Sequence, residues 1–264
     1  MSPDDLTYFR SPARWLGHPT IFKSETGSTN DDARALGLRG AAAGTLVLAD
    51  AQTAGRGRRG RVWQSPPGAN LYFSAVLRPR RPLSEVPSLT LATGLALCEA
   101  VAALVPPEHT PQIKWPNDLV VGGRKLAGIL IEGSLTGPSL DFAIAGVGIN
   151  VLGATLPAEV AHLATSMAQL SGDLALSRGA LLGRILTRWE AHLETLEAHG
   201  FAALREAYRA RCVTLGQRVR GDDFEGLAVD VEADGALRLE GDDGATRRVA
   251  FGEVLHVLSA PARL

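Results

Sequence analysis

Four arginines and three glycines occupy seven consecutive positions, Gly55-Arg56-Gly57-Arg58-Arg59-Gly60-Arg61. No hydrophobic core accepts such a run, because guanidinium groups stay charged and glycine loses the most backbone freedom on ordering. The chain must leave its core here and return, and the run does sit between two apolar, strand-like segments, 45–50 and 70–77. Glycine lets main-chain N–H groups approach a ligand closely, and the guanidinium fork suits carboxylate and phosphate. The segment therefore reads as a loop that closes over something anionic. Some fifty residues later, Lys114-Trp115-Pro116-Asn117-Asp118 adds a cation beside an aromatic, a proline-fixed backbone and a polar pair. Together the two motifs suggest chemistry that brings two negatively charged reactants into contact. Each alone has a plainer reading: a solvated or nucleic-acid-binding Arg/Gly tract, and a structural Lys-Trp pair.

The composition narrows the choice. At 264 residues, 45% hydrophobic and 21% charged, the chain has room for one sizeable domain and a small one, each with a proper core. Its formal net charge is −1, so the basic loop is a local feature. General affinity for nucleic acid, which shows as a basic face or a high pI, is not expected. The two cysteines, Cys98 and Cys212, lie far apart and lack metal-ligand spacing. They fit buried thiols in a reducing compartment better than a disulfide framework. Met1-Ser2-Pro3-Asp4-Asp5 lacks the basic flank of a signal peptide, and the longest apolar run, 91–105, is interrupted by Glu99. A soluble, cytoplasmic protein with no membrane segment is expected.

Along the chain, Ile21-Phe22 reads as a short strand, followed by Ser28-Thr29-Asn30-Asp31-Asp32, where Ser28 with Asp31 or Thr29 with Asp32 fits a capping box before a helix over 33–38. Strands are expected at 45–50, 70–77, 112–115, 119–121, 125–132 and 141–150, with Gly122-Gly123 as a hairpin turn. Helices are expected over 84–104 and 177–212, the latter broken at Gly200. After Gly216 the texture changes to short β-prone segments punctuated by acidic and glycine turns, as in a small all-β domain.

These residues resemble the catalytic core of biotin protein ligases. The matching pieces are Ser28-Thr29-Asn30, Gln52 with the arginine loop, Trp63, Gly68-Ala69-Asn70-Leu71-Tyr72, Lys114 to Asp118, Arg124-Lys125-Leu126-Ala127-Gly128-Ile129-Leu130 and Gly146-Val147-Gly148-Ile149-Asn150. They stand in family order over roughly residues 20–212. The resemblance implies an α/β (α+β) fold, with a class II synthetase-like mixed-sheet catalytic domain at 1–212 and an SH3-like β-barrel at 213–264. It implies an ATP-dependent enzyme that converts biotin to biotinyl-5′-AMP and transfers the acyl group to a lysine of a biotin carboxyl carrier domain. Ser28, Thr29, Asn30 and Gln52 are then expected at the ureido head of biotin. Arg56, Gly57 and Arg58 are expected in the loop over the adenylate, and Lys114 where carboxylate meets α-phosphate. Trp63, Asn117, Lys125 and Asn150 are expected at the nucleotide.

ATP chemistry implies Mg²⁺, whose ligands the sequence leaves unidentified. Covalent catalysis by cysteine, serine or histidine is not expected. About twenty residues precede the first core strand, so the DNA-binding winged helix of some family members is not expected either. Lipoate–protein ligation on the same core is the sibling reading, and Gln52 beside the arginine loop favours biotin. Whether the protein forms a homodimer stays open. A strand at 141–150 pairing across a two-fold axis, or lying covered, is compatible with the sequence.

Overall fold

Strands whose apolar runs are nearly continuous belong in a sheet covered on both faces. Such a sheet forms the centre of the computed structural model, which describes residues 6–82, 85–136, 139–152, 162–172, 177–250, 252 and 255–256. Its strands are β1 (Thr20–Thr26), β2 (Leu46–Gln52), β3 (Leu71–Leu77), β4 (Gln112–Lys114), β5 (Asp118–Val121), β6 (Arg124–Thr136) and β7 (Ser139–Ile149). They lie in the order β1-β2-β3-β7-β6-β5-β4. β1 and β2 pair in parallel and the other neighbours antiparallel, so the sheet is mixed as expected. The helices are α1 (Thr29–Leu38), α2 (Val86–Ala102), α3 (Met167–Ser171), α4 (Arg178–His199) and α5 (Arg205–Arg209).

Side chains alternate across a strand, so each face has its own helices. α1 covers one face over Val47, Val76, Phe142 and Ile144. It approaches closely enough that a Cβ on Gly37 would strike the Phe142 ring. α2 and α4 pack together over the other face, where Trp189 of α4 meets Phe73 of β3 edge-on at 6.3 Å. Cys98 and Cys212 are buried free thiols, and burial pushes Cys98 up to about 12, so it stays protonated and inert. Among the described residues no helix is long and apolar enough to cross a membrane.

One sequence expectation needs correction. The capping box does not form: Ser28 is the N-cap of α1 through its extended backbone, without a side-chain bond. The acidic side chains are drawn elsewhere, Asp31 to Arg56 and Asp32 to Thr26 and Lys23. Of the two alternatives open for the strand at 141–150, the structure shows the covered one, since β7 lies between β3 and β6. The edges are β1 and β4, and β4 is bridged on its outer side by Cys212 against Ile113. By contrast Gly122 and Gly123 do make the hairpin turn, at φ 55° and 77°, and Gly200 (φ 72°) does end α4. Ser84, Met1 to Asp5 and the last residues of the chain lie outside the described residues.

The C-terminal strands β8 (Arg218–Arg220), β9 (Glu225–Val231), β10 (Leu237–Glu240), β11 (Thr246–Val249) and β12 (Leu255–His256) form a separate antiparallel sheet, ordered β11-β10-β9-β8-β12. Its contacts with the core include the following. Trp115 donates from its indole N–H to the Gly235 carbonyl (3.1 Å), and Gly235, at φ 92°, has no room for a Cβ against Leu91. Arg205, at the start of α5, binds the Val231 carbonyl and Asp230, both at 2.6 Å.

Glu190 of α4 ties down the segment before β1, accepting the backbone N–H groups of Arg14, Trp15 and Leu16 at 2.9, 2.7 and 2.8 Å. Burial works to raise its carboxyl, but these donors and Arg14 outweigh it and hold it below the usual carboxylate range. Its stabilisation is therefore complete above the unfolded value near pH 4.3 and is lost as pH falls through the lower folded value. Glu190→Gln is expected to cost about 2 kcal/mol at pH 7. Thermal unfolding should show a gap from wild type that narrows toward pH 3, whereas a gap independent of pH would remove the carboxylate charge as its cause.

Candidate active site

One face of two neighbouring strands changes from core to site by shedding side chains. On β7, Phe142 and Ile144 lie under α1, and the next two positions on the same face are Gly146 and Gly148. Gly128 of β6 stands opposite Gly148, and Leu130 opposite Gly146. The glycines make a floor on which larger groups rest directly: a Cβ on Gly146 would collide with the Asn30 amide, and one on Gly148 with the Trp63 ring. Trp63 also rests on Gly128, and its indole nitrogen is buried without a hydrogen-bond partner among the described residues.

The start of α1 supplies the polar wall. The Thr29 N–H and hydroxyl lie 2.9 and 3.1 Å from Gln52 Oε1, and Gln52 Nε2 donates to Ser65 Oγ at 2.9 Å. Ser74 Oγ donates to Asn30 Oδ1 at 2.6 Å, and Asn30 Nδ2 donates to Glu132 Oε2 at 2.6 Å. These partners fix which way both amides point. Ser28, Thr29 and Asn30 are each about 5% exposed or less, so their remaining polar capacity is directed into the cavity they line.

The arginine loop closes this cavity, and its guanidinium groups are held by residues from several elements. Arg56 makes two bonds of 2.6 Å to Asp31 and lies 3.7 Å from Glu132. The Arg56 hydrogen bonds hold the Asp31 carboxyl below its ordinary range. Arg58 donates to Asn117 Oδ1 at 3.0 Å. Beyond Trp63 lies a second cavity of about 220 Å³, against about 50 Å³ for the first. The two share Gly57, Arg58, Trp63, Asn117 and Lys125.

The structure thus brings together Ser28, Thr29, Asn30, Gln52, Arg56, Gly57, Arg58, Trp63, Asn117 and Lys125 around the first cavity. Lys114 stands apart, on the wall of the second cavity only. The lysine common to both is Lys125, whose Nζ is 2.7 Å from Asp118 and 5.4 Å from the Trp63 ring centroid. Asn150 is 5% exposed and ties strands together, donating to the Thr165 carbonyl at 3.1 Å, and it lines neither cavity.

Residues 24–150 match the Biotin/lipoate A/B protein ligase family, and residues 213–257 the Biotin protein ligase C terminal domain. The chain is 40% identical over 247 residues to the biotin--[acetyl-CoA-carboxylase] ligase of Mycobacterium tuberculosis, covering 89% of this chain and 87% of that one. The chain belongs to the biotin protein ligase family. Its fold is similar to that of the Aquifex aeolicus biotin protein ligase solved with biotin and ATP, at TM-score 0.77 and 30% identity over 91% of this chain and 99% of that one. It is also similar to the Leishmania major biotin protein ligase solved with biotinyl-5-AMP, at TM-score 0.60 and 28% identity over 87% and 98%. The expected class, a mixed-sheet α/β core with an SH3-like β domain, is the fold of this family.

Within this ligase fold several site residues escaped the sequence reading. Glu132 ends the apolar run 126–131 as the one acid of β6, and that was its signal. Ser74, fully buried in β3, and Ser65 become visible only in the fold, where Gly128, Gly146 and Gly148, already quoted as motif pieces, gain their role as a floor.

The floor is testable. Gly148→Ala is expected to lift the Trp63 indole and cost about 1–3 kcal/mol of order at the site, as overpacking does. Intrinsic tryptophan fluorescence should shift, and biotin affinity should fall about tenfold or more. Unchanged emission and affinity would show that Trp63 does not depend on the bare glycine.

Proposed function

We propose that the protein is an ATP-dependent ligase that activates biotin as biotinyl-5′-AMP and transfers the biotinyl group to a lysine of a biotin carboxyl carrier domain, in the cytoplasm. The observation that carries this reading is the pair of adjoining cavities, with Lys125 and Arg58 on their common border. One side is polar and glycine-floored, suited to a compact head group; the other is larger and basic, suited to a nucleotide. Family membership and the relatives that bind biotin, ATP or biotinyl-5-AMP support it. On this reading residues 1–212 carry the chemistry, and 213–264 dock against the nucleotide side.

In the first step a carboxylate oxygen of biotin attacks the α-phosphorus of ATP, and the bond to the bridging oxygen breaks to release pyrophosphate. Two unit charges about 4 Å apart repel by roughly 4 kcal/mol at an effective dielectric near 20. Cations already in place offset that repulsion without reorganising at the moment of reaction. Lys125 and Arg58 stand where the reactants meet, and Lys114 faces the outer phosphates. In the second step the neutral amine of the acceptor lysine attacks the acyl carbon. AMP leaves with the bonding electrons, and the amine gives up one proton as the amide forms.

Ser28 and Thr29 read the ureido head of biotin, with Asn30 and Gln52 locked in orientation behind them. Both cavities are smaller than the roughly 300–1,000 Å³ of small-molecule sites, so Trp63 and the loop swing outward as substrates enter. Asp118 is the carboxylate on the wall of the second cavity. It is paired with Lys125, so Mg²⁺ arriving with ATP would be held mainly by phosphate and water, as is usual for this ion. Lipoate fits less well, since it lacks a ureido group for the polar wall. A nucleic-acid tract fits less well still, because Arg56, Arg58 and Arg59 are engaged by Asp31, Asn117 and Asp222.

Pyrophosphate release tests the assignment of the lysines. Lys125→Ala is expected to slow it by about a hundredfold, the usual loss for one preorganised charge at the reacting centre, or about 3 kcal/mol. Lys114→Ala should slow it about tenfold or less. Equal or reversed losses would return the reacting position to Lys114. Arg58→Gly removes a charge-assisted bond and adds backbone freedom to the loop. The adenylate should then escape and label lysines of bystander proteins. Labelling confined to the carrier domain would remove Arg58 from the closure of the site.

A further inference from the structure

Among the described residues Arg59 is the single non-glycine with positive φ, at φ 56° and ψ 34°. A side chain is disfavoured in this left-handed region, where Gly60 beside it sits without strain at φ 72°. An arginine here needs a use for its side chain that offsets the backbone cost. The use is visible across the molecule: the Arg59 guanidinium pairs with the carboxylate of Asp222, in the turn between β8 and β9 of the C-terminal sheet.

That turn is braced by contacts of its own sheet. The Gly221 N–H donates to the Phe224 carbonyl at 2.9 Å, and the Phe224 ring lies where a Cβ on Gly221 would be. Arg247 stacks on the same ring at 5.6 Å and binds both the carbonyl and the carboxylate of Asp223 at 2.6 Å. The sheet behind it is anchored through Trp115 and Arg205, contacts that do not involve the loop. Asp222 thus stands on a turn whose other contacts are independent of the loop.

We propose that Arg59 and Asp222 form a clasp by which the C-terminal domain holds the arginine loop closed over the acyl-adenylate, Arg59 acting as a positioning residue. This rests on the ligase reading above. Arg58, one residue earlier, points the other way to Asn117 at the border of the two cavities. The left-handed turn therefore sends adjacent arginines to opposite tasks, one to the site and one to the second domain. The pair is open to water, with side chains 51% and 69% exposed, so its strength is modest and falls with salt.

The test is the escape rate of preformed biotinyl-5′-AMP from the full chain, trapped with excess unlabelled biotin and Mg-ATP. Arg59→Ala and Asp222→Ala are each expected to speed escape by about two- to fivefold, the range for an exposed ion pair. The double variant should be no faster than either single one, and Arg59→Asp combined with Asp222→Arg should recover most of the retention. Arg59→Gly, which relieves the backbone without restoring the ion pair, should leak like Arg59→Ala. Raising salt should bring the wild type toward the variants. Wild-type retention by Asp222→Ala or by Arg59→Gly, or singles whose effects multiply in the double, would overturn the clasp. If the wild type made no adenylate at all, the ligase reading would fall and the clasp with it.

Discussion

Packing arginines side by side into a short loop is electrostatically unfavourable unless each is given a counterpart, and the arrangement of this molecule follows from how that is done. Arg56 is met by Asp31 and Glu132, Arg58 by Asn117, and Arg59 by Asp222. Those partners come from α1, β6, the β4–β5 connection and the C-terminal sheet. A loop held from four directions is ordered without being buried, so its charges stay available at the mouth of the cavity. The partners also differ in strength. A bidentate carboxylate pair at the base of the loop is firmer than a neutral amide or an exposed ion pair nearer its tip. The tip is thereby held less firmly than the base.

The second requirement is a floor. Along one face of β7 the sequence runs Phe142, Ile144, Gly146, Gly148, and that progression converts a packed core into a shelf within four alternate positions. Trp63 occupies the shelf now. A large aromatic lying on glycine has little to interlock with and can be displaced more easily than one packed among branched side chains. Its unpartnered indole nitrogen gives a further reason for it to move when a polar ligand arrives.

Much of this was legible in the chain. The arginine run, the lysine–tryptophan motif and the Gly-Val-Gly-Ile-Asn strand end carried the family, and Gly122-Gly123 and Gly200 marked real turns. The placing of the two lysines about the cavities was not legible. Lys114 and Lys125 lie in similar strand contexts, and only the folded sheet shows that Lys125 lines both cavities and Lys114 the second. Local rules also failed where tertiary partners competed. Asp31 and Asp32 have the spacing of a capping box, but arginine and lysine outbid the backbone for them. Asn150 ends a strand that lines the site, yet its amide faces inward, holding the Thr165 segment.

The account stands or falls on transfer of an acyl group to a protein lysine. The direct measurement is the intact mass of a biotin carboxyl carrier domain after incubation with this protein, biotin and Mg-ATP. The account predicts the gain of one biotinyl group, dependent on ATP and accompanied by AMP and pyrophosphate. An unmodified carrier domain, or modification by lipoate in preference to biotin, would contradict it.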